Sequence, residues 1–356
     1  MESDKTNPVN WASYKTVQII AMTRYKSNFD VIEFADFRLF FELGTTKDNR
    51  GIGRVSRNIL KSLKKYQTIN TKQEKPNLYF FSSIHWCPEI LPDHSIVMIH
   101  DTTPLSIPHF FHHAQDEWLY DFADIASQSK HIITISETSK SDIMKYFMIE
   151  ESKISIIYNG ITQFTPSDKP LNISPPAIPY VTFLGANDHH KNIDVVLNAL
   201  ALNDKKDIGL AVIGNAFDDI YDRARIWELD VNLIFSFGRL SDAATRHILE
   251  KSIALVMPSL YEGFGLPPLE AGLLCVPSIC SNRPALNEIM ANASLLVDPF
   301  LPRDWLAAIR RLQTDHNLAK ELSAAAQLKG QYFTWERNIA ALIEVFKNIA
   351  KDINYA

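Results

Sequence analysis

Short apolar runs recur along the chain, and the spacing between them sets the architecture. "DVIEFADFRLFFELG" (30–44) is apolar and aromatic with no Pro or Gly inside its core, and it predicts a strand. "RVSRNILKSLKKY" places Val55, Ile59, Leu60 and Leu63 at helical spacing. "NLYFFSS", "SIVMIHD" and "HIITIS" follow as short runs of the kind that parallel strands show when both faces are buried. Helical or loop material separates them, so the pattern predicts an α/β domain with a mostly parallel sheet. From 162 to 179 the texture changes: "TQFTPSDKPLNISPPAIP" holds five prolines and no periodicity, and reads as a linker. The alternation then restarts. "YVTFLG", "GLAVIG", "VNLIFSFG", "IALVMPS", "VPSICS" and "SLLVDP" predict strands. "NIDVVLNALAL", "SDAATRHILEKS" (Ser241 as N-cap), "PPLEAGLLC", "RDWLAAIRRLQ" and "TWERNIAALIEVFKNIA" predict helices.

Two α/β domains of similar size therefore face each other. Ligands of open α/β sheets bind beyond the carboxyl ends of strands, so the chemistry belongs on strand-to-helix loops lining a cleft. Composition adds limits. The 356 residues suit two domains, and 46% hydrophobic with 22% charged residues is ordinary for a globular protein. A net charge of −5 gives no basic footprint for nucleic acid. Cys87, Cys275 and Cys280 form no C-x-x-C pair, and the last two read as buried thiols in a reducing compartment. The polar start "MESDKTNPVNW" lacks an apolar signal region, and no run of 18 apolar residues occurs, so the expected place is the cytoplasm. "KSLKKYQTINTKQEK" (61–75) reads as a solvated helix end, or as a patch for peripheral contact with a membrane surface.

The loop "SLYEGFGLPPLEAG" (259–272) is the richest in chemistry. It joins a strand to a helix whose first turn carries Pro267 and Pro268. Gly263 and Gly265 let a ligand approach the backbone, and a helix N-terminus offers N–H groups and positive potential to a phosphate. Glu262 and Glu270 flank that cradle. Carboxylates suit sugar hydroxyls rather than phosphates, so the arrangement fits a nucleotide sugar. The spacing alone also allows Glu270 to be a helix-dipole partner and Glu262 a solvated loop residue.

"EGFGLPPLE" resembles the E-x7-E motif of retaining GT-B glycosyltransferases of family 4. "NRGIGRVSRNIL", "VMIHDTTPL", "ITISETSKSDI", "YNGI" and "FLGANDHHKNIDVVLNAL" resemble the other segments of that family, in order, from about residue 36 to 350. The resemblance implies two Rossmann-like domains facing a cleft. Residues 1–165 would bind the acceptor and 166–335 the donor, with a helix at about 336–356 returning to the first domain. It implies that Glu262 lies by the donor sugar and Glu270 on the ribose. Lys191 would meet the diphosphate, Gly51 and Gly53 would close over it, and Gly263, Phe264, Gly265 and Leu266 would line the donor site. His100 would lie near the reacting centre, with Asp101 orienting it or the acceptor. Relatives often carry arginine where His190 stands, so an imidazolium raised in pKa by the diphosphate would take its place.

The same resemblance implies a retaining hexosyltransferase that needs no metal or other cofactor. Its donor would be GDP-mannose first, then UDP- or dTDP-sugars. Its acceptor would be a growing, lipid-linked polysaccharide or O-antigen glycan at the inner face of the cytoplasmic membrane. A sugar-nucleotide epimerase of the same fold and a noncatalytic nucleotide-sugar-binding subunit are the alternatives. No Asp-x-Asp occurs for a GT-A metal site. His109, His112 and His113 read as a surface helix beside the acceptor cleft rather than a zinc site.

Overall fold

A computed structural model describes residues 28–68, 74–166, 171–215 and 217–355. The polar start, residues 69–73 of the lysine-bearing stretch and 167–170 of the Pro-rich connection lie outside the described residues.

The first sheet is built from β1 (Phe29–Glu33), β2 (Arg38–Glu42), β3 (Asn77–Phe81), β4 (Ser95–Met98), β5 (His131–Thr134) and β6 (Ile154–Ile156), in that spatial order. The run at 30–44 thus holds two strands instead of one. They pair antiparallel with Val31 opposite Phe40, and the turn closes from Phe34 N–H to the Phe37 carbonyl at 3.0 Å. No Gly or Pro marks that turn, so apolar continuity hid it. All other neighbours in this sheet are parallel. Helices α1 (Gly51–Leu63), α2 (Thr103–Ser106), α3 (Ala123–Gln128) and α4 (Glu137–Phe147) connect them. Alternation along β3 explains the two-sided core. Leu78 and Phe80 join Val55 and Ile59 of α1, while Tyr79 and Phe81 join Trp118 and Phe122 on the opposite face.

The second sheet holds β7 (Tyr180–Leu184), β8 (Gly209–Ile213), β9 (Ile234–Gly238), β10 (Leu255–Met257), β11 (Ser278–Ser281) and β12 (Leu295–Val297). All its strands are parallel, in the order β12-β11-β10-β7-β8-β9. Helices α5 (Ile193–Ala201), α6 (Ile220–Ile226), α7 (Asp242–Leu249), α8 (Leu266–Leu273), α9 (Pro284–Met290), α10 (Pro302–Thr314) and α11 (His316–Tyr332) cover it. Ser241 caps α7 by accepting from Ala244 N–H at 3.3 Å. Strand order reverses between β7 and β10, and that reversal is where a doubly wound sheet opens a crevice. The loops leaving these two strands are 185–191 and 258–265, the two stretches singled out in the sequence.

Helix α12 (Trp335–Tyr355) leaves the second domain and packs on the first. Its Phe346 meets Phe37 and Phe80 edge-on, at centroid distances of 6.1 and 5.2 Å. The outgoing and returning chains run side by side: Ile161 N–H donates to the Phe333 carbonyl at 2.8 Å, and Trp335 Nε1 donates to Thr162 Oγ1 at 3.0 Å. Cys280 is buried, whereas Cys275 is exposed at a left-handed turn (φ 58°), contrary to its reading as a buried thiol. Among the described residues no helix is long and apolar enough to cross a membrane.

Candidate active site

The crevice between β7 and β10 meets the carboxyl end of β4, and most of the residues singled out in the sequence converge there. Gly263 sets the contact. A Cβ on it would fall 2.8 Å from the His100 carbonyl oxygen and 2.9 Å from Asp101 Cβ, so only glycine lets the loop of one domain lie against the strand end of the other. Gly265 takes φ +100° as the N-cap of α8, a backbone conformation open to glycine.

Two ion pairs occupy the flanking glutamates. Lys191 Nζ lies 2.7 Å from Glu262 Oε1, with side-chain exposures of 23% and 12%. Arg54 Nη1 lies 2.8 Å from Glu270 Oε1, and Glu270 is 3% exposed. Neither glutamate is a solvated loop residue or a helix-dipole partner. Glu270 falls at the fifth position of α8, beyond the first turn, because the helix starts at Leu266. Burial pushes its carboxyl up to about 7, against the attraction of Arg54. The two donor-side loops are tied together by Leu260 N–H donating to the His190 carbonyl at 2.8 Å. Asn192, at φ 53°, donates to the Pro258 and Pro299 carbonyls and fixes the base of the lysine loop.

On the first domain, His100 is buried and its Nε2 faces the Ser82 carbonyl at 3.0 Å. A carbonyl only accepts, so Nε2 carries the proton and Nδ1 keeps its lone pair. Burial lowers the His100 pKa and holds the ring neutral. Asp101 turns to its own helix: Oδ1 accepts from Thr103 N–H at 2.9 Å and Thr103 Oγ1 at 2.6 Å. It starts α2 rather than orienting the His100 ring. Gly51 opens α1 with free space around its Cα, while a Cβ on Gly53 would strike the Asp48 carbonyl at 1.9 Å. The second glycine is therefore required by packing of the preceding loop.

The rise expected for the His190 pKa depends on a bound diphosphate. Here burial and the neighbouring Lys191 lower its pKa, and Nδ1 is buried with no partner. Both effects favour the neutral ring. The Phe264 side chain turns into the core. Its ring is buried against Phe333 at 5.3 Å and Tyr158 at 6.0 Å, and Leu266 packs beside the same core. The histidine-rich segment forms 3-10 turns, Pro108–Phe110 and His112–Ala114, rather than a surface helix. Phe110 stacks on His189 at 6.2 Å and Phe111 meets His190 at 5.7 Å, so this segment roofs the lysine loop. Among the described residues no group of three or more His, Cys, Asp or Glu is placed to hold a metal ion.

Four residues escaped the sequence reading. Arg54 follows Gly53 but looks like any solvated helix cation until the second domain is present. Tyr261 donates to Asp142 Oδ2 at 2.7 Å across the domain contact. Glu288 of α9 accepts from Glu137 N–H at 2.9 Å, Thr138 N–H and Thr138 Oγ1 at 3.2 Å each and Tyr158 OH at 3.1 Å, so it caps α4 of the other domain. His85 is exposed at the surface and lies edge-on against Trp118 and Phe122.

Two facing Rossmann-like domains with this crevice define the GT-B fold, and solved structures agree. The chain is similar to Anabaena HepE in complex with UDP and glucose, with TM-score 0.62 and 14% identity over 94% of this chain and 82% of that one. It is similar to sucrose-phosphate synthase from Thermosynechococcus elongatus, with TM-score 0.60 and 19% identity over 72% and 67%. Residues 168–329 match the family described as glycosyl transferases group 1. Among curated proteins, the O-antigen chain mannosyltransferase RfbU of Salmonella typhimurium (strain LT2) is 28% identical over 222 residues, 61% of this chain. The match spans 60% of RfbU, less than two thirds of its length. O-antigen chain mannosyltransferase B of Escherichia coli is 25% identical over 72% of this chain and 70% of its own.

Proposed function

We propose that this protein is a retaining hexosyltransferase that moves mannose from GDP-mannose to a growing, lipid-linked polysaccharide or O-antigen glycan. The observation that carries this reading is the Lys191–Glu262 pair at the crevice of the second sheet, held against His100 of the first domain by Gly263. A lysine carries three N–H donors, and only one is needed for Glu262. The others suit diphosphate oxygens, where positive charge stabilises the departing nucleoside diphosphate. Glu262 then suits hydroxyls of the transferred hexose and Glu270 those of the ribose. The neutral His100 ring offers an acceptor nitrogen to the sugar. The bond from the anomeric carbon to the diphosphate breaks, and the acceptor hydroxyl bonds to the same face of that carbon. Its proton leaves with the diphosphate, which gives retention without a protein nucleophile. The similarity to two O-antigen mannosyltransferases supports mannose and a glycan acceptor.

The test is to incubate the protein with GDP-mannose, UDP-sugars and dTDP-sugars, each with and without a lipid-linked glycan extract, and to follow products by mass spectrometry. Acceptor-dependent gain of one hexose from GDP-mannose is the expected result. Conversion of the sugar nucleotide without an acceptor would instead identify an epimerase. Binding of nucleotide sugar with no turnover under any pairing would identify a noncatalytic subunit.

A further inference from the structure

The Arg54–Glu270 pair joins the two domains inside the nucleotide crevice. Arg54 sits on α1 of the first domain, directly after Gly53; Glu270 sits on α8 of the second. Arg54 takes Glu270 Oε1 at 2.8 Å and leaves its own Nη2 buried with no partner. The guanidinium lies over the Phe164 ring, 5.6 Å from its centroid, which fixes its plane. A buried guanidinium nitrogen without an acceptor is costly unless a bound molecule or water completes it. A carboxylate has two oxygens, so one can stay on Arg54 while the other accepts from a ribose hydroxyl.

Resting on the glycosyltransferase reading, we propose that Arg54 is a positioning residue that favours the ionised form of Glu270 and aims it at the ribose, so that the nucleoside site is complete only when the two domains meet. Without Arg54, Glu270 would be a buried carboxyl facing only the repulsive charge of Asp242 from the start of α7, and burial would keep it protonated across the neutral range. A protonated carboxyl is a poorer acceptor for a hydroxyl than a carboxylate. The effect acts on ribose, not on phosphate.

The experiment titrates GDP, UDP and inorganic pyrophosphate into the full chain by calorimetry, for wild type, Arg54→Met and Arg54→Lys, from mildly acidic to mildly alkaline pH. Arg54→Met should weaken both nucleotides about tenfold to a hundredfold, the loss expected for one charge-assisted contact. That loss should be smallest at the acidic end, where Glu270 is protonated in both proteins, and grow as pH rises through about 7, where only the wild-type carboxyl ionises. Arg54→Lys should recover part of the affinity and flatten the profile. Pyrophosphate, which has no ribose, should bind all three proteins alike. Equal losses for pyrophosphate would make Arg54 a phosphate contact and overturn the proposal. Nucleotide curves for Arg54→Met that run parallel to and level with wild type would overturn it too. Failure of wild type itself to bind either nucleotide would remove the glycosyltransferase reading on which it rests.

Discussion

At the scale of single residues, the two glutamates of one loop have different environments and hence different expected roles. Glu262 is partly open and paired with a lysine, while Glu270 is enclosed and paired with an arginine. Glu262→Ala should lower turnover by about 10²–10³, as loss of one preorganised electrostatic partner does, and by more than Glu270→Ala at saturating donor. Steady-state rates for the two variants decide this, and near wild-type turnover in both would remove the assignment. The enclosed position has a cost that titrates. The Glu270 carboxyl is raised from 4.5 to about 7, so the folded chain holds that proton more tightly than the unfolded chain. The associated stability is present below about 4.5 and is lost as pH rises through about 7. Wild type should therefore lose Tm relative to Glu270→Gln across that interval, and two melting curves measured against pH should diverge. Parallel curves would place the ionised carboxylate in a satisfied setting. The glutamates, Lys191 and His100 were legible because glycines, prolines and strand ends punctuate their loops. Arg54 and Glu288 were not, because a charged side chain on an amphipathic helix looks solvated until a partner from another domain is in place.

At the scale of elements, helix α4 begins with two sources of acceptors. Ser136 accepts from Ser139 N–H at 3.0 Å, and Glu288 supplies a carboxylate from the other domain. A helix N-terminus favours negative charge, so the cap also fastens the domains. Glu288→Ala should cost about 0.5–2 kcal/mol, the usual range for a lost N-cap, in chemical denaturation. A double-mutant cycle with Thr138→Val should show coupling of about 0.5–3 kcal/mol, as residues in contact do. Additive losses would mean that the carboxylate is solvated rather than capping. The helices and strands of the second domain were readable because each apolar run ended at a turn signal, such as Ser241 before α7. The hairpin of β1 and β2 was not, since its turn is made by Phe34–Phe37 with no residue that breaks an apolar run. The histidine segment departs from a helix for a related reason: helical spacing of three histidines says nothing of the two phenylalanines that dock it on the lysine loop.

At the scale of the whole molecule, the proposed chemistry places charge neutralisation on Lys191 and on helix N-termini. Transfer should then persist after exhaustive dialysis against EDTA, and strict dependence of the rate on added Mn²⁺ or Mg²⁺ would move the protein into another mechanistic class. The strand order of the second sheet was not readable from the sequence, because alternation of strands and helices is shared by every doubly wound topology and only packing chooses among them. The return of α12 was expected from the resemblance, and its apolar face meets Phe37 and Phe80 of the first core. Because the chain's last helix completes its first core, the halves of the sequence are not the halves of the fold. A fragment ending within the Pro-rich connection should aggregate when expressed alone, with those phenylalanines bared to water. Supplied with the remaining fragment in the same cell, it should be rescued, as two pieces of a split protein reassemble when one carries a plug for the other. Soluble, cooperatively melting material from the first fragment alone would show that the plug is dispensable.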